Sequence, residues 1–449
     1  MSWWRIHIKE TLKLAYPVII SQLGFMMMGV VDTVMVGRLG AVPLAAASVA
    51  NSLFILILII GIGISFAITP LVSIASGAGK LDECGILFRN SFLVNIITGV
   101  LLLVSTYLIS YLIPYLNGNN KVVTLALSYT QILGLSILPA MLFQTYKQLL
   151  EGLSIVKPAM IITIAANVVN AAGNWIFIYG KFGFPEMGLN GAGWATFFSR
   201  IFMGAVIMYY VISSRRLKIY DAVMHFKEIN LGIIKKLLDI GVPSAFQYVF
   251  EVGAFSFAVI MVGWLGTKQL AAHQIAINLA SISFMATLGI SSAGSVRVGN
   301  ALGRRNIIEI RRAGFIAVLL GASFMASCGI LFVVFRNFLP SLYINDPAVI
   351  SIASNLLLIA AVFQISDGTQ AVGIGILRGL TDVKAPTLIT FIAYWVLALP
   401  IGYLLGFTFN LNVIGVWIGL LIGLSASAVM LTLRFNKKSK SILHFAQNV

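Results

Sequence analysis

The chain has 449 residues, 59% of them hydrophobic and only 10% charged, with a mean hydropathy of +0.98. A soluble domain carries charge on about a quarter of its residues, so this composition excludes a soluble enzyme or a soluble nucleic-acid binder. The net charge of +16 therefore needs a membrane explanation.

Apolar runs of roughly 20 residues, each long enough to cross a ~30 Å hydrocarbon core, recur along the whole chain. They lie at 12–36, 44–70, 90–113, 122–145, 159–180, 189–213, 238–262, 271–296, 313–335, 348–371, 386–406 and 412–433. In lipid each backbone polar group must be satisfied within its own segment, which dictates helices. Barrel strands would alternate in polarity and be about half as long. The expected fold is an all-α polytopic membrane protein of twelve transmembrane helices.

Residues 1–13 carry Trp3, Trp4 and alternating charges, an interfacial anchor rather than a cleaved signal with a continuous apolar core. With this end in the cytoplasm, most Lys and Arg fall in inside segments. The outer loops hold Arg38, Lys121, Lys181, Lys268 and Arg336, and Arg200 lies within span 6. The positive-inside rule accounts for this asymmetry, places both termini in the cytoplasm and removes the need for a nucleic-acid partner. A plasma-membrane location follows, the inner membrane in a Gram-negative cell.

Taken in chain order, span 1 contains Pro17 and Asp32. Each proline in such a span either bends the helix or sits harmlessly in its first turn. Cys84 follows in a cytoplasmic loop, far in topology from Cys328 of span 9, so no disulfide is expected. Asn170 and Asn174, four apart on span 5, share a helix face. With Asp32 and Thr196 of span 6 they could form an oxygen-rich pocket for a hard cation, or a proton-linked network.

The basic stretch 214–237 links spans 6 and 7. Span 7 contains Pro243 and Glu251, and Gln274, Asn278 and Ser281 share a face of span 8, with His273 near that span's start. Asp346 precedes Pro347 in an outer loop, either solvated there or lining an outward mouth, and Asp367 lies in span 10.

The two parts of the chain repeat. Pro17 is matched by Pro243 at an offset of 226, Gly37-Arg38-Leu39-Gly40 by Gly263-Trp264-Leu265-Gly266, and Gly63 and Ser65 by Gly289 and Ser291. Glu151-Gly152-Leu153 returns as Arg378-Gly379-Leu380, offset by 227, and Gly193-Trp194 returns with Trp417. Six spans per copy is an even number, so the copies are parallel repeats, 1–213 and 238–449, expected to surround a central cavity as in many transporters.

Carboxylates at mid-span are costly, roughly 2.5–3.5 kcal/mol each on insertion scales, and mark functional sites. Asp32, Glu251 and Asp367 are such residues. The repeat partners of Asp32 and Glu251 are Ala258 and Phe25, so the two halves differ chemically. Three acids against the one mid-span base, Arg200, leave negative charge for a mobile cation. Metal-binding Cys/His clusters, a Gly-x-Ser-x-Gly elbow and a Walker A run are missing from the sequence, so an ion gradient is the expected energy source and no cofactor is expected.

On these residues the chain resembles the MATE (multidrug and toxic compound extrusion) transporters, especially their NorM-like branch, over essentially its whole length. The carriers are Asp32-Thr33-Val34-Met35-Val36-Gly37, the Glu151-Gly152 turn, Leu377-Arg378-Gly379-Leu380, Gly193-Trp194 and Gly415-Val416-Trp417. The resemblance implies export of bulky, often cationic, lipophilic drugs in exchange for Na⁺ or H⁺, with Na⁺ favoured. It places the coupling cation at Glu251 and Asp367, and Asp32 at the helix 1 aspartate with Asn170, Asn174 and Thr196 around it. Where some relatives carry a second aspartate on helix 5 this chain has Asn174, which moves the expected coupling to the second half. Asp32, Gln274, Asn278 and Asp346 are the expected substrate-cavity residues, and a monomer is expected.

The rival readings are a lipid-linked oligosaccharide flippase of the same superfamily, which needs an Arg- and Lys-rich cavity, and an exporter of a native metabolite. A major-facilitator carrier lacks its basic, Gly-rich loop here, where Gly77–Glu83 stands instead. A membrane-embedded acid–base enzyme is the remaining class.

Overall fold

The computed structural model describes residues 3–116, 120–221 and 228–447. Among the described residues, twelve helices are long and apolar enough to cross a membrane. They are α1 (Trp4–Gly37), α2 (Ala41–Gly77), α3 (Leu81–Tyr115), α4 (Asn120–Gly152), α5 (Lys157–Tyr179), α6 (Gly188–Ser213), α7 (Leu231–Trp264), α8 (Thr267–Gly303), α9 (Ile307–Val334), α10 (Pro347–Gly379), α11 (Lys384–Thr408) and α12 (Asn412–Ile442). Each covers one predicted span. Most extend beyond the apolar run because their polar ends continue the helix past the hydrocarbon boundary. Trp4 is exposed, while residues 1–2 of the N-terminal segment and 222–227 of the linker lie outside the described residues.

Repeated turn chemistry shapes repeated structure. Gly40 and Gly266, at equivalent places between the first and second helix of each repeat, have φ of +111° and +117°. Only a residue without Cβ adopts that backbone freely, which is why both copies of the Gly-x-Leu-Gly turn end in glycine.

By contacts the chain forms two compact units, Ile20–Ala245 and Met1–Ile19 with Phe246–Val449. Helices α1 and α7 each pass from one unit to the other two residues after a proline. Pro17 and Pro243 lie well inside these helices, so the first-turn reading is set aside: each removes a mid-helix N–H donor.

Within the first unit, the start of α7 packs on α2. A Cβ added to Gly63 would stand 2.4 Å from Ala245 Cα, and one on Gly241 2.7 Å from the Ile64 carbonyl oxygen. Within the second, the start of α1 packs on α8, where Gly289 leaves room for Ile19. Arg297 of α8 fastens that start through Nη1 to the His7 carbonyl (2.9 Å) and Thr11 Oγ1 (2.8 Å) and through Nη2 to Glu10 Oε2 (2.7 Å).

Lipid tails are as apolar as leucine, so close packing of small residues holds such helices together. Helices α11 and α12 show it most directly. Cβ atoms on Gly415 and Gly419 would meet the backbones of Gly406 and Gly402 at 2.4 Å. Helix α11 widens to π geometry over Ile392–Ala398, ahead of Gly402, and over Leu404–Thr408, which contains Gly406.

Candidate functional site

Asp32, placed on α1 by a long apolar run, meets its expected neighbours inside the first unit. Asn174 Nδ2 donates to Asp32 Oδ1 at 2.6 Å, and Thr196 Oγ1 donates to Oδ2 at 3.2 Å. Asn174 Nδ2 also reaches Asn170 Oδ1 at 3.2 Å, one helical turn away on the same face of α5. Both asparagines are fully buried. Tyr179 ties the two helices beside this cluster by donating to the Met35 carbonyl at 2.9 Å.

Arg200 lies within electrostatic reach of Asp32. Its Nη1 donates to Ser136 Oγ at 2.6 Å, and its guanidinium stands 5.0 Å from the centre of the Phe54 ring. Neutral amide and hydroxyl donors thus contact the carboxylate directly, and the cation nearby is engaged elsewhere. Such a site can hold an ionised carboxylate without a salt bridge.

Glu251 and Asp367 come together inside the second unit. Both are buried, and both line one cavity of about 300 Å³. Gln247, one turn before Glu251, donates to its Oε2 at 3.3 Å, and Gln370 of α10 donates to its Oε1 at 3.3 Å. Tyr394 OH stands 2.9 Å from Gln370 Nε2. Phe255, Ile277, Phe284, Met285 and Phe363 supply the apolar wall. Glu251 and Asp367 interact electrostatically as like charges, and Arg378 lies within reach of Glu251 and Tyr248. Two acids in one small cavity repel unless a cation or proton enters.

Of the polar face expected on α8, Ser281 lines this cavity. Gln274 is exposed and Asn278 half-buried, and the lining does not include them. His273 is fully buried rather than a boundary residue, accepting from Trp417 Nε1 at Nδ1 across 3.0 Å. Asp346 caps α10. Its Oδ1 accepts from the Ala348 N–H at 2.9 Å, and its Oδ2 lies 3.6 Å from Lys268 Nζ. These two contacts hold its carboxyl below the usual aspartate range.

Sequence reasoning missed Gln247, Gln370, Tyr394 and Arg378. A signal was present for the glutamines: Gln247 is one turn from Glu251, and Gln370 three residues from Asp367. It also treated Arg200 as the single embedded base, whereas Lys147 and Glu151 form a buried ion pair of 3.6 Å near the end of α4.

The MatE family model matches this chain twice, over residues 17–176 and 243–404. The chain belongs to the MatE family. The two matches begin at Pro17 and Pro243, so the family pattern follows the internal repeat. Multidrug resistance protein NorM of Photobacterium profundum is 36% identical over 97% of this chain and 96% of its own length. Multidrug resistance protein MdtK of Yersinia pseudotuberculosis is 34% identical with the same coverage. The crystal structure of the eukaryotic MATE transporter AtDTX14 superposes with a TM-score of 0.89 over 98% of both chains at 20% identity, a likeness of fold. This MATE family member is therefore a polytopic transporter of the NorM-like branch, with its buried acids distributed over both units.

Proposed function

We propose that this chain is a cation-coupled multidrug efflux antiporter, exporting bulky and often cationic lipophilic compounds against Na⁺ or H⁺. The carrying observation is the pair Glu251 and Asp367, buried on one small cavity with two glutamine amides aimed at Glu251. The names of the curated relatives support the substrate class.

In the proposed cycle a cation enters between the two carboxylates and favours drug release outward, and its departure inward restores negative charge. An ion drives the change only by binding the two states unequally. Asp32, with Gln274, Asn278 and Asp346, is assigned to recognition of the cationic substrate, and Pro17 and Pro243 to the bends that accompany alternating access. The protein is proposed to act as a monomer in the plasma membrane with both termini cytoplasmic, and Na⁺ is the favoured ion.

The test is efflux of a fluorescent lipophilic cation from loaded vesicles under an imposed Na⁺ gradient or an imposed pH gradient. One gradient is expected to drive efflux, and efflux indifferent to both would refute the reading.

A further inference from the structure

Helix α10 presents different chemistry on its two sides. Phe363 and Asp367, four residues apart, line the cavity shared with Glu251. Ile365 and Thr369 lie half a turn round the helix and line a separate groove of about 350 Å³ between α10 and α12. Within it the hydroxyls of Ser366 and Ser425, 2.8 Å apart, bridge the two helices. Val429 and Leu433 of α12 form its rim and are 58% and 61% exposed. An apolar rim left open on a membrane-spanning helix suits an acyl chain.

The stripe that forms this wall continues into charge. Ser425, Val429, Leu433 and Lys437 follow at intervals of four along one face of α12. Lys437 is one turn, about 6 Å, beyond the last apolar wall residue. Lys440 follows three residues on, and both lysines are exposed.

Arg311 reaches the same end from α9, where Phe435 packs against Gly314. Its Nη1 donates to the Asn436 carbonyl at 3.3 Å and to Ser439 Oγ at 2.8 Å, and its Nη2 donates to Asn436 Oδ1 at 2.9 Å. Neutral oxygens hold this guanidinium. Among the described residues no carboxylate pairs with Arg311, Lys437 or Lys440. Arg434 differs, since its Nε donates to Asp382 Oδ2 at 2.8 Å.

The positive-inside rule explains why cations gather at this end of the helices. It does not explain why three of them, without a counter-charge, stand at the foot of an apolar groove. A ligand that is anionic at one end and hydrocarbon at the other satisfies both features.

We propose that the face formed by α9, α10 and α12 binds an anionic phospholipid. One acyl chain lies in the groove against Val429 and Leu433, and the phosphate meets Arg311, Lys437 and Lys440. The site lies within the second unit and does not depend on the antiport reading. Its leaflet is the cytoplasmic one in the topology proposed above.

The test uses the full chain in neutral detergent. Bound lipid is counted by native mass spectrometry as phosphatidylglycerol or phosphatidylcholine is added, and the unfolding temperature is followed in parallel. Phosphatidylglycerol should bind saturably, about tenfold more tightly than phosphatidylcholine, and raise the unfolding temperature. Lys437→Gln with Lys440→Gln should remove one tightly bound phosphatidylglycerol, weakening it about tenfold, and leave phosphatidylcholine binding as it was. High salt should act in the same direction. Glycerol phosphate in large excess should not displace the lipid, because it has no chain for the groove.

Equal binding of the two lipids would overturn the proposal, as would a wild-type count of phosphatidylglycerol in the double lysine variant. Displacement by glycerol phosphate would reveal an anion site without a lipid and overturn it too. Arg311→Gln should also lose the lipid, and full retention by a folded Arg311→Gln variant counts against the site. Arg311 joins α9 to α12, so if that variant fails to fold the lysine pair, exposed on the surface, decides alone.

Discussion

Asn174 stands 2.6 Å from Asp32, closer than the Thr196 hydroxyl at 3.2 Å, and is itself steadied by Asn170 one turn away. The amide supplies hydrogen bonding to the carboxylate without adding charge beside it.

Replacing Asn174 with alanine removes this donor from a buried carboxylate. Hydrogen bonds to charged groups are worth about 1.5–3 kcal/mol, so the variant should unfold several degrees earlier in detergent. Asn174→Asp should instead give Asp32 a like-charged neighbour and make the first unit's stability depend on Na⁺ or pH. Melting curves with and without Na⁺ distinguish the two outcomes.

Glu251→Gln and Asp367→Asn preserve shape and remove charge. Each should lower ion-driven efflux by about tenfold or more, since each ~1.4 kcal/mol of lost cation affinity is a decade. Membrane expression should stay at the wild-type level, measured by a fluorescent fusion. Wild-type resistance from both would remove the coupling role. Gln370→Leu should weaken coupling less than either, because it touches Glu251 and leaves the carboxylate pair intact.

Trp417→Phe keeps the ring and deletes the N–H that reaches His273 Nδ1 at 3.0 Å. An unsatisfied buried acceptor costs about 1–3 kcal/mol. The expected result is a lower unfolding temperature with unchanged cation dependence, which separates this packing bond from the proposed coupling site.

Gly419→Ala forces a Cβ to 2.4 Å from the Gly402 backbone. Overpacking of this kind costs about 1–3 kcal/mol where neighbours can shift, and a backbone neighbour shifts least, so yield of folded protein should fall. Gly29→Ala is the control. A Cβ there meets nothing within 4 Å, and it should be neutral or slightly stabilising.

Asp346 offers a pH test with a defined sign. Its carboxyl is held below the ordinary value by the Ala348 N–H first and by Lys268. A depressed folded-state value adds stability above the unfolded value near ~3.9, and this is lost as pH falls through the folded one. Between pH ~5.5 and ~8 its contribution is constant, so Asp346→Asn should leave the pH profile of transport unchanged over that range. A shifted profile would bring Asp346 into the proton chemistry.

Twelve spans, the parallel repeat and the glycine turns at Gly40 and Gly266 were legible in the sequence because lipid permits few solutions. A run of about 20 apolar residues must be a helix, and a repeated residue must answer a repeated backbone demand. Asp32, Glu251 and Asp367 stood out for the same reason, as charges where charge is expensive. The tertiary structure alone decided which side chains meet them. Gln370 reaches Glu251 from a helix more than a hundred residues away, and residues 3–19 pack in the unit formed by Phe246–Val449. Lys147 and Glu151 lie just beyond the apolar run 122–145, and only folding shows them buried. Hydropathy reads the environment of a segment along one axis, whereas the partner of a buried charge depends on helix rotation and packing, which are set by contacts between distant parts of the chain.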